Sequence, residues 1–400
     1  MPLRLRLPPL AYLMPLALPL FVGGCPTSDD DDDGDGSASA ADTGSTTAPA
    51  TTDAGSDTAA VDSTGEPGTT ASVDDTSGGS SSDDAGSESG TTGEVACGPP
   101  VELGVFVPAD GDARGFAVDG DTVFLAVTSA GLEAVDITDP ANPASLGAVD
   151  FGNGELAFTV AIAGDHAYVG QRGSGWKIVD ISDPAAMVEV ASEDTDDAED
   201  VAVVGDIFFV VNGNGLRTYD VTDPTMPSEL SPTVVLPGAS NSLAVEGDTA
   251  YVAASGGGLV AVDVTVPAMP MELSVFETSA NATHVAIDGT TVFVSHADGV
   301  NILDMTDPGT PAELGVYMRD RGQAIATDAG TLYVLGDDTA STQVPFLAIV
   351  DVSDPATPLE LDVSFDTFED PGALVVDGGR VLFSAEDDDA LHILDPCPAT

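Results

Sequence analysis

The side chains of this chain that could do chemistry are overwhelmingly carboxylates. Its 400 residues hold 68 Asp and Glu against nine Lys and Arg, four His and three Cys. Carboxylates work as acid–base pairs in hydrolysis or as oxygen ligands for calcium and magnesium, and their placement separates a site from a scaffold. Val135-Asp136-Ile137-Thr138-Asp139-Pro140 returns as Val179-Asp180-Ile181-Ser182-Asp183-Pro184 and as Tyr219-Asp220-Val221-Thr222-Asp223-Pro224. Looser copies hold Asp263, Asp304, Asp351 and Asp395, and the first aspartates lie 44, 40, 43, 41, 47 and 44 residues apart. An acid repeated at this regularity, in a turn whose proline fixes φ, accepts backbone N–H bonds and is structural. Acidic pairs are so abundant that any one chosen as general acid and base is arbitrary. No Gly-x-Ser-x-Gly elbow sits at a strand–helix turn, and no paired histidines suggest a metal hydrolase. Gly256-Gly257-Gly258 lacks the following helix that a phosphate cradle needs.

The repeat spacing is that of a four-stranded propeller blade. The first copy spells strands over 115–119, 122–127, 132–137 and 144–149, rich in Val, Phe, Leu and Ile and punctuated by turn residues. Several short strands per repeat without a long polar face place both sheet faces between neighbouring blades. Each first hairpin carries a glycine, as in Asp119-Gly120 and Ala329-Gly330. Read as the second tip residue, that glycine predicts a type I′ turn. The expected fold is all-β: a seven-bladed propeller of four-stranded blades.

The phrase Leu-x-x-Val-Asp-Val-Ser-Asp-Pro-x-x-Pro-x-x-Leu-Gly resembles the LVIVD repeat of bacterial and archaeal cell-surface proteins. Residues 101 to 396 carry it, with near-consensus stretches such as Ile349-Val350-Asp351-Val352-Ser353-Asp354-Pro355. Val266 replaces the turn aspartate in the fourth copy, and Ala186 the second proline in the second. The resemblance implies a scaffold at the cell surface and brings no catalytic residues with it.

The seventh copy ends soon after its third strand, Leu391 to Asp395, and Val101-Glu102-Leu103-Gly104-Val105-Phe106 matches the fourth strand seen at Ala312 to Tyr317. The N-terminal strand is therefore expected to complete the last blade, leaving no open edge between first and last blades. Cys97 and Cys397 then fall at the same joint, where an oxidising envelope would link them as a disulfide; two free thiols are the other reading. Two cysteines and four scattered histidines do not make a closed zinc set.

In a propeller the tight hairpins and Asp-Pro turns share one face. The loops after the second strands and the crossovers between blades share the other, where length and chemistry vary. Residues just ahead of each innermost strand should ring the channel mouth on that variable face: Arg114, Glu199, Asp200, Asn241, His284, Arg321, Gln323 and Asp370. They are the candidate ligand contacts, and a solvated channel mouth is the bland alternative. His166, His296 and His392 read as packed or exposed strand residues, and Trp176 as core.

The first 24 residues read as a secretory leader, with Arg4 and Arg6 ahead of a proline-interrupted apolar run too short to span a bilayer stably. Val22-Gly23-Gly24-Cys25 resembles a bacterial lipobox, which implies cleavage before Cys25 and acylation of its thiol. An ordinary signal peptide followed by a stray cysteine is the alternative. Pro26 in place of an aspartate points to the outer membrane or cell surface, by analogy with lipoprotein sorting. Residues 25–96 are Ser, Thr, Gly, Ala and Asp without an aromatic, Lys or Arg, and are expected to form a disordered acidic tether. Its r.m.s. reach would be roughly 45–50 Å. The Asp29–Asp33 run reads as a solvated spacer, a surface-export signal or a metal tract.

The domain from 97 to 400 carries 51 acidic and seven basic residues, a net charge near −44 that repels phosphate backbones. The expected function is a lipid-anchored, monomeric binding or adhesion module meeting a protein or glycan on its variable face, with no nucleic acid. The alternative is a propeller hydrolase or lyase working at the channel mouth with a divalent cation. Calcium bound structurally between acidic blade edges is a third possibility.

Overall fold

The computed structural model describes residues 99–152, 156–194, 197–319, 322–338, 344–365, 371–385 and 389–398. They fold into seven four-stranded antiparallel sheets, six consecutive in sequence and one mixed, arranged as the blades of a propeller. We number the blades one to seven from Ala113 and their strands inner, second, third and outer, counting from the channel. The mixed sheet is blade seven. Its inner strand is Pro371–Asp377, its second Arg380–Ala385 and its third Ala390–Asp395, and its outer strand is Val101–Phe106 from the N-terminal side. Val101 pairs with Asp395 and Phe106 with Leu391, as the sequence predicts. His392, stacked on Phe383 at 4.6 Å, places Nδ1 3.1 Å from Glu102 Oε1 across that seam.

Blades one and seven are joined by apolar packing of Phe116, Leu125 and Val135 against Leu382, Leu391 and Ile393. Arg380 adds a polar clasp. Its guanidinium donates to Ile137 O at 3.3 Å and Gly120 O at 3.4 Å, beside the carboxylate of Asp121. Elsewhere the core repeats the same layer between neighbours. Trp176 and Tyr168 of blade two pack with Phe208 and Tyr219 of blade three, Trp176 edge-on to these two rings at 5.4 and 5.1 Å.

The inner hairpins all have two-residue loops, since Asp119 pairs with Thr122 and its counterparts do likewise. This corrects the turn expected from sequence. In blades one to five glycine is the first loop residue, with φ between 55° and 60° and no positive φ following it, which is a type II′ arrangement. Only blades six and seven, with Ala329-Gly330 and Gly378-Gly379, put both loop residues at positive φ as type I′ requires.

The repeated aspartates are turn caps. Asp136 Oδ1 accepts the Thr138 N–H at 2.8 Å and Asp139 Oδ1 the Ala141 N–H at 3.2 Å, and the pattern recurs in the other copies. Where Val266 takes the turn position, the backbone bond from Met269 N to Val266 O, 2.7 Å, still closes the turn.

The turn also clasps the neighbouring blade. Each outer strand has a bulge, and in blades seven, one, four and five the residue after it faces the proline carbonyl of the next blade's turn. At Gly104, Gly147 and Gly315 a Cβ would lie 2.1, 2.7 and 2.1 Å from the carbonyl oxygens of Pro140, Pro184 and Pro355. Blade four has Ser274 there, and its hydroxyl donates to Pro308 O at 2.5 Å. In blade three Thr218 Oγ1 reaches Pro267 O at 2.6 Å and Ser231 Oγ at 3.0 Å. The Leu-Gly of the repeat is thus the seat for the next blade's Asp-Pro turn.

Candidate functional site

The two faces differ in how they are built. One carries only the two-residue hairpins and the Asp-Pro turns. On the other, the loop after the second strand has two residues in blade three, between Asn212 and Gly215, and five in blade six, between Asp338 and Val344. The innermost strands begin on this second face, so those of the residues singled out from sequence that are described lie on it or just beneath it.

Two of the candidates fall in one cluster across three blades. Arg114, near the start of blade one's inner strand, sits 3.4 Å from Asp112 Oδ2 with its Cζ 5.9 Å from the Phe158 ring of blade two. Arg172, closing blade two's second strand, stacks on the same ring at 4.1 Å and donates from Nε to Glu199 Oε2 of the next crossover at 3.1 Å. Arg172 and Phe158 were not among the residues singled out. The signal available in sequence was that Arg172 ends a second strand and so emerges on the variable face.

Asp200 begins the inner strand of blade three and is 1% exposed. Its Oδ1 accepts the Thr159 hydroxyl of blade two at 2.8 Å and its own strand's Val201 N–H at 2.9 Å, and its Oδ2 accepts the Leu243 N–H of blade four at 2.8 Å. Burial pushes its pKa up to about 7, against these donors, which favour the carboxylate. With both oxygens facing donors, this carboxylate is a poor cation ligand.

Asn241 and the neighbourhood of His284 continue the stitching. Asn241 Nδ2 donates to Ser255 Oγ at 2.6 Å and to Ala282 O of blade five at 2.7 Å. His284 is buried, with its backbone N–H donating to Ser295 Oγ at 3.1 Å, while Thr283 Oγ1 donates to Gly322 O of blade six at 3.4 Å. Gln323 is half-buried in blade six's inner strand. Arg321, Asp370, Cys25 and Cys97 lie outside the described residues, as do Glu386 to Asp388. Trp176, His296 and His392 are buried, and burial lowers the His296 pKa below its ordinary value. Among the described residues no group of three or more His, Cys, Asp or Glu side chains is placed to hold a metal ion. The described residues contain no helix long and apolar enough to cross a membrane.

The LVIVD repeat model matches residues 110–150, 156–195, 196–232, 237–278 and 345–367. The chain is an LVIVD-repeat propeller. A search of curated proteins finds no match. Among solved structures, this LVIVD propeller is similar to the computationally designed Ika8 protein, at 13% identity and TM-score 0.54 over 70% of this chain and 82% of that one. The β-propeller domain of Cps50 (Swd1) from Myceliophteria thermophila matches at 11% identity and TM-score 0.58, covering 74% of this chain and 99% of that one. The WD40 propeller domain of Doa1 matches at 10% identity and TM-score 0.59, with coverages of 74% and 96%. At these identities the likeness is one of fold.

Proposed function

We propose that this LVIVD propeller is an exported, lipid-anchored interaction module that meets a protein or glycan partner on its variable face. The observation that carries the reading is the division between the faces, one of uniform turns and one of loops unequal in length and chemistry. Rigid scaffolds carry binding residues on loops of the second kind. The direction of the chain supports it. Val101, where the outer strand of blade seven begins, pairs with Asp395 at the Asp-Pro-turn end of its neighbour. Val101 thus lies at the uniform-face end of blade seven.

The anchor is carried by Val22-Gly23-Gly24-Cys25, and the spacer by the polar, acidic stretch after it. A link between Cys97 and Cys397 would fasten the seam of blade seven covalently. The test is to display the soluble domain, residues 97–400, against protein and glycan arrays. A specific partner should appear, and it should be lost when the Arg114–Phe158–Arg172–Glu199 cluster and the neighbouring crossovers are replaced. Binding that survives replacement of every variable loop refutes the assignment of the face.

A further inference from the structure

We propose that Asp200 is a proton-controlled stitch, whose charge sets how tightly blades two, three and four close together beneath the variable face. Its carboxylate is sealed from solvent and bonded to one donor from each of those blades: the Thr159 hydroxyl, the Val201 N–H and the Leu243 N–H. Among the described residues, the strands around it offer no unengaged cation to offset a buried negative charge. Blade two's inner strand, Leu156–Ala163, has no titratable side chain, and Arg172 at the end of the neighbouring strand is already paired with Glu199. Blade four's inner strand, Ala239–Glu246, presents Asn241 and Ser242, with Glu246 at its far end beside the opposite face. Blade three's own inner strand, Asp200–Val204, adds nothing charged, and its second strand, Ile207–Asn212, only Asn212 as a polar side chain. The three donors hold the anion in place but do not neutralise it.

The direction of the effect follows from burial. A carboxyl whose proton is held more tightly in the folded state contributes most below the unfolded pKa of 3.8 and loses that contribution as pH rises toward about 7. Above about 7 the ionised group is carried at full cost. Asp200 alone would then raise the unfolding equilibrium constant about a hundredfold between about pH 5 and about pH 8. Glu199 adjoins Asp200 and Phe158 adjoins Thr159, so movement of this stitch reaches the Arg172 cluster on the surface.

The protein carries its own reporter. Trp176 is the only tryptophan and lies on the interface between blades two and three, against Phe208 and Tyr219. Its emission in the folded protein should titrate reversibly with a midpoint near 7, alongside the hundredfold change in unfolding constant. Asp200→Asn should abolish both. Thr159→Val, which removes a donor that favours the anion, should move the midpoint upward, and it decides the matter if the Asn variant does not fold. Emission that stays flat from pH 5 to 9 in the native protein overturns the proposal. So does a titration retained in Asp200→Asn, or a midpoint that Thr159→Val leaves in place.

Discussion

The seat between neighbouring blades can be tested at Gly315. A Cβ there would lie 2.1 Å from Pro355 O, about 1 Å closer than real Cβ atoms approach. The obstacle is backbone, held in a turn capped by Asp351 and Asp354, so it cannot rotate aside as a side chain would. Gly315→Ala must push blade six's turn off blade five, and overpacking of this kind costs about 1–3 kcal/mol. Gly315→Ser meets the same obstacle but gains a hydroxyl that can donate to Pro355 O, as Ser274 does to Pro308 O at 2.5 Å. That bond returns about 0.5–1.5 kcal/mol. The order of stability should be Gly, then Ser, then Ala, read as urea midpoints of the propeller domain at neutral pH. The reciprocal change, Ser274→Ala, keeps the Cβ and loses the donor, and should cost about 1 kcal/mol. If Gly315→Ala is neutral, or Ala and Ser are equal at this position, the seat is not a point of close contact and the reasoning fails.

Other outcomes follow from the same structure. Arg380→Met should lower stability by about 1.5–3 kcal/mol through loss of its charged donors to blade one's carbonyls, seen as a lower thermal midpoint, whereas a pure surface charge would leave that midpoint nearly unchanged. Asp136, Asp180, Asp220, Asp263, Asp304 and Asp351 each have pKa values held below 3.8, by the hydroxyl and N–H of the Ser or Thr two residues on. Their contribution is complete above that value and lost as pH falls through the lowered ones, so the melting temperature should drop as the pH is taken below 3.8. Replacing several of these aspartates with Ala should flatten that drop. Mapping of the unreduced protein should recover Cys97 and Cys397 as one linked peptide pair, and reduction should lower the thermal midpoint.

The repetitive part of the molecule was legible because its causes are local. A period near 43 residues, a glycine per hairpin and an aspartate per turn each act within a few positions of the chain, and they specify the blade and the count. The exchange of the N-terminal strand was legible too, because Val101–Phe106 carries the Leu-Gly of an outer strand. The turn type was missed by one position, since the pairing of Asp119 with Thr122 makes Gly120 the first loop residue. The purpose of the Leu-Gly pair was hidden because the carbonyl it accommodates belongs to the next repeat, about forty residues on in the chain. The surroundings of Asp200 and the Arg172–Phe158 cluster were hidden for a stronger version of that reason. Each joins three blades, and register shifts near the start of inner strands such as Ala113–Asp119 and Ala239–Glu246 break the alternation that would otherwise tell which way a side chain points.

The strand swap has a consequence for biogenesis. Val101–Phe106 leaves the ribosome well before its sheet partner, Ala390–Asp395, which is made nearly three hundred residues later. Six blades can assemble from contiguous chain as they appear, while the first strand waits without a neighbour. A nascent or truncated copy lacking Ala390–Asp395 therefore keeps an unpaired strand and an unsealed ring, the kind of exposed edge that quality-control proteases and chaperones engage. The circle thus acts as a check on assembly, sealing only once Ala390–Asp395 has been made.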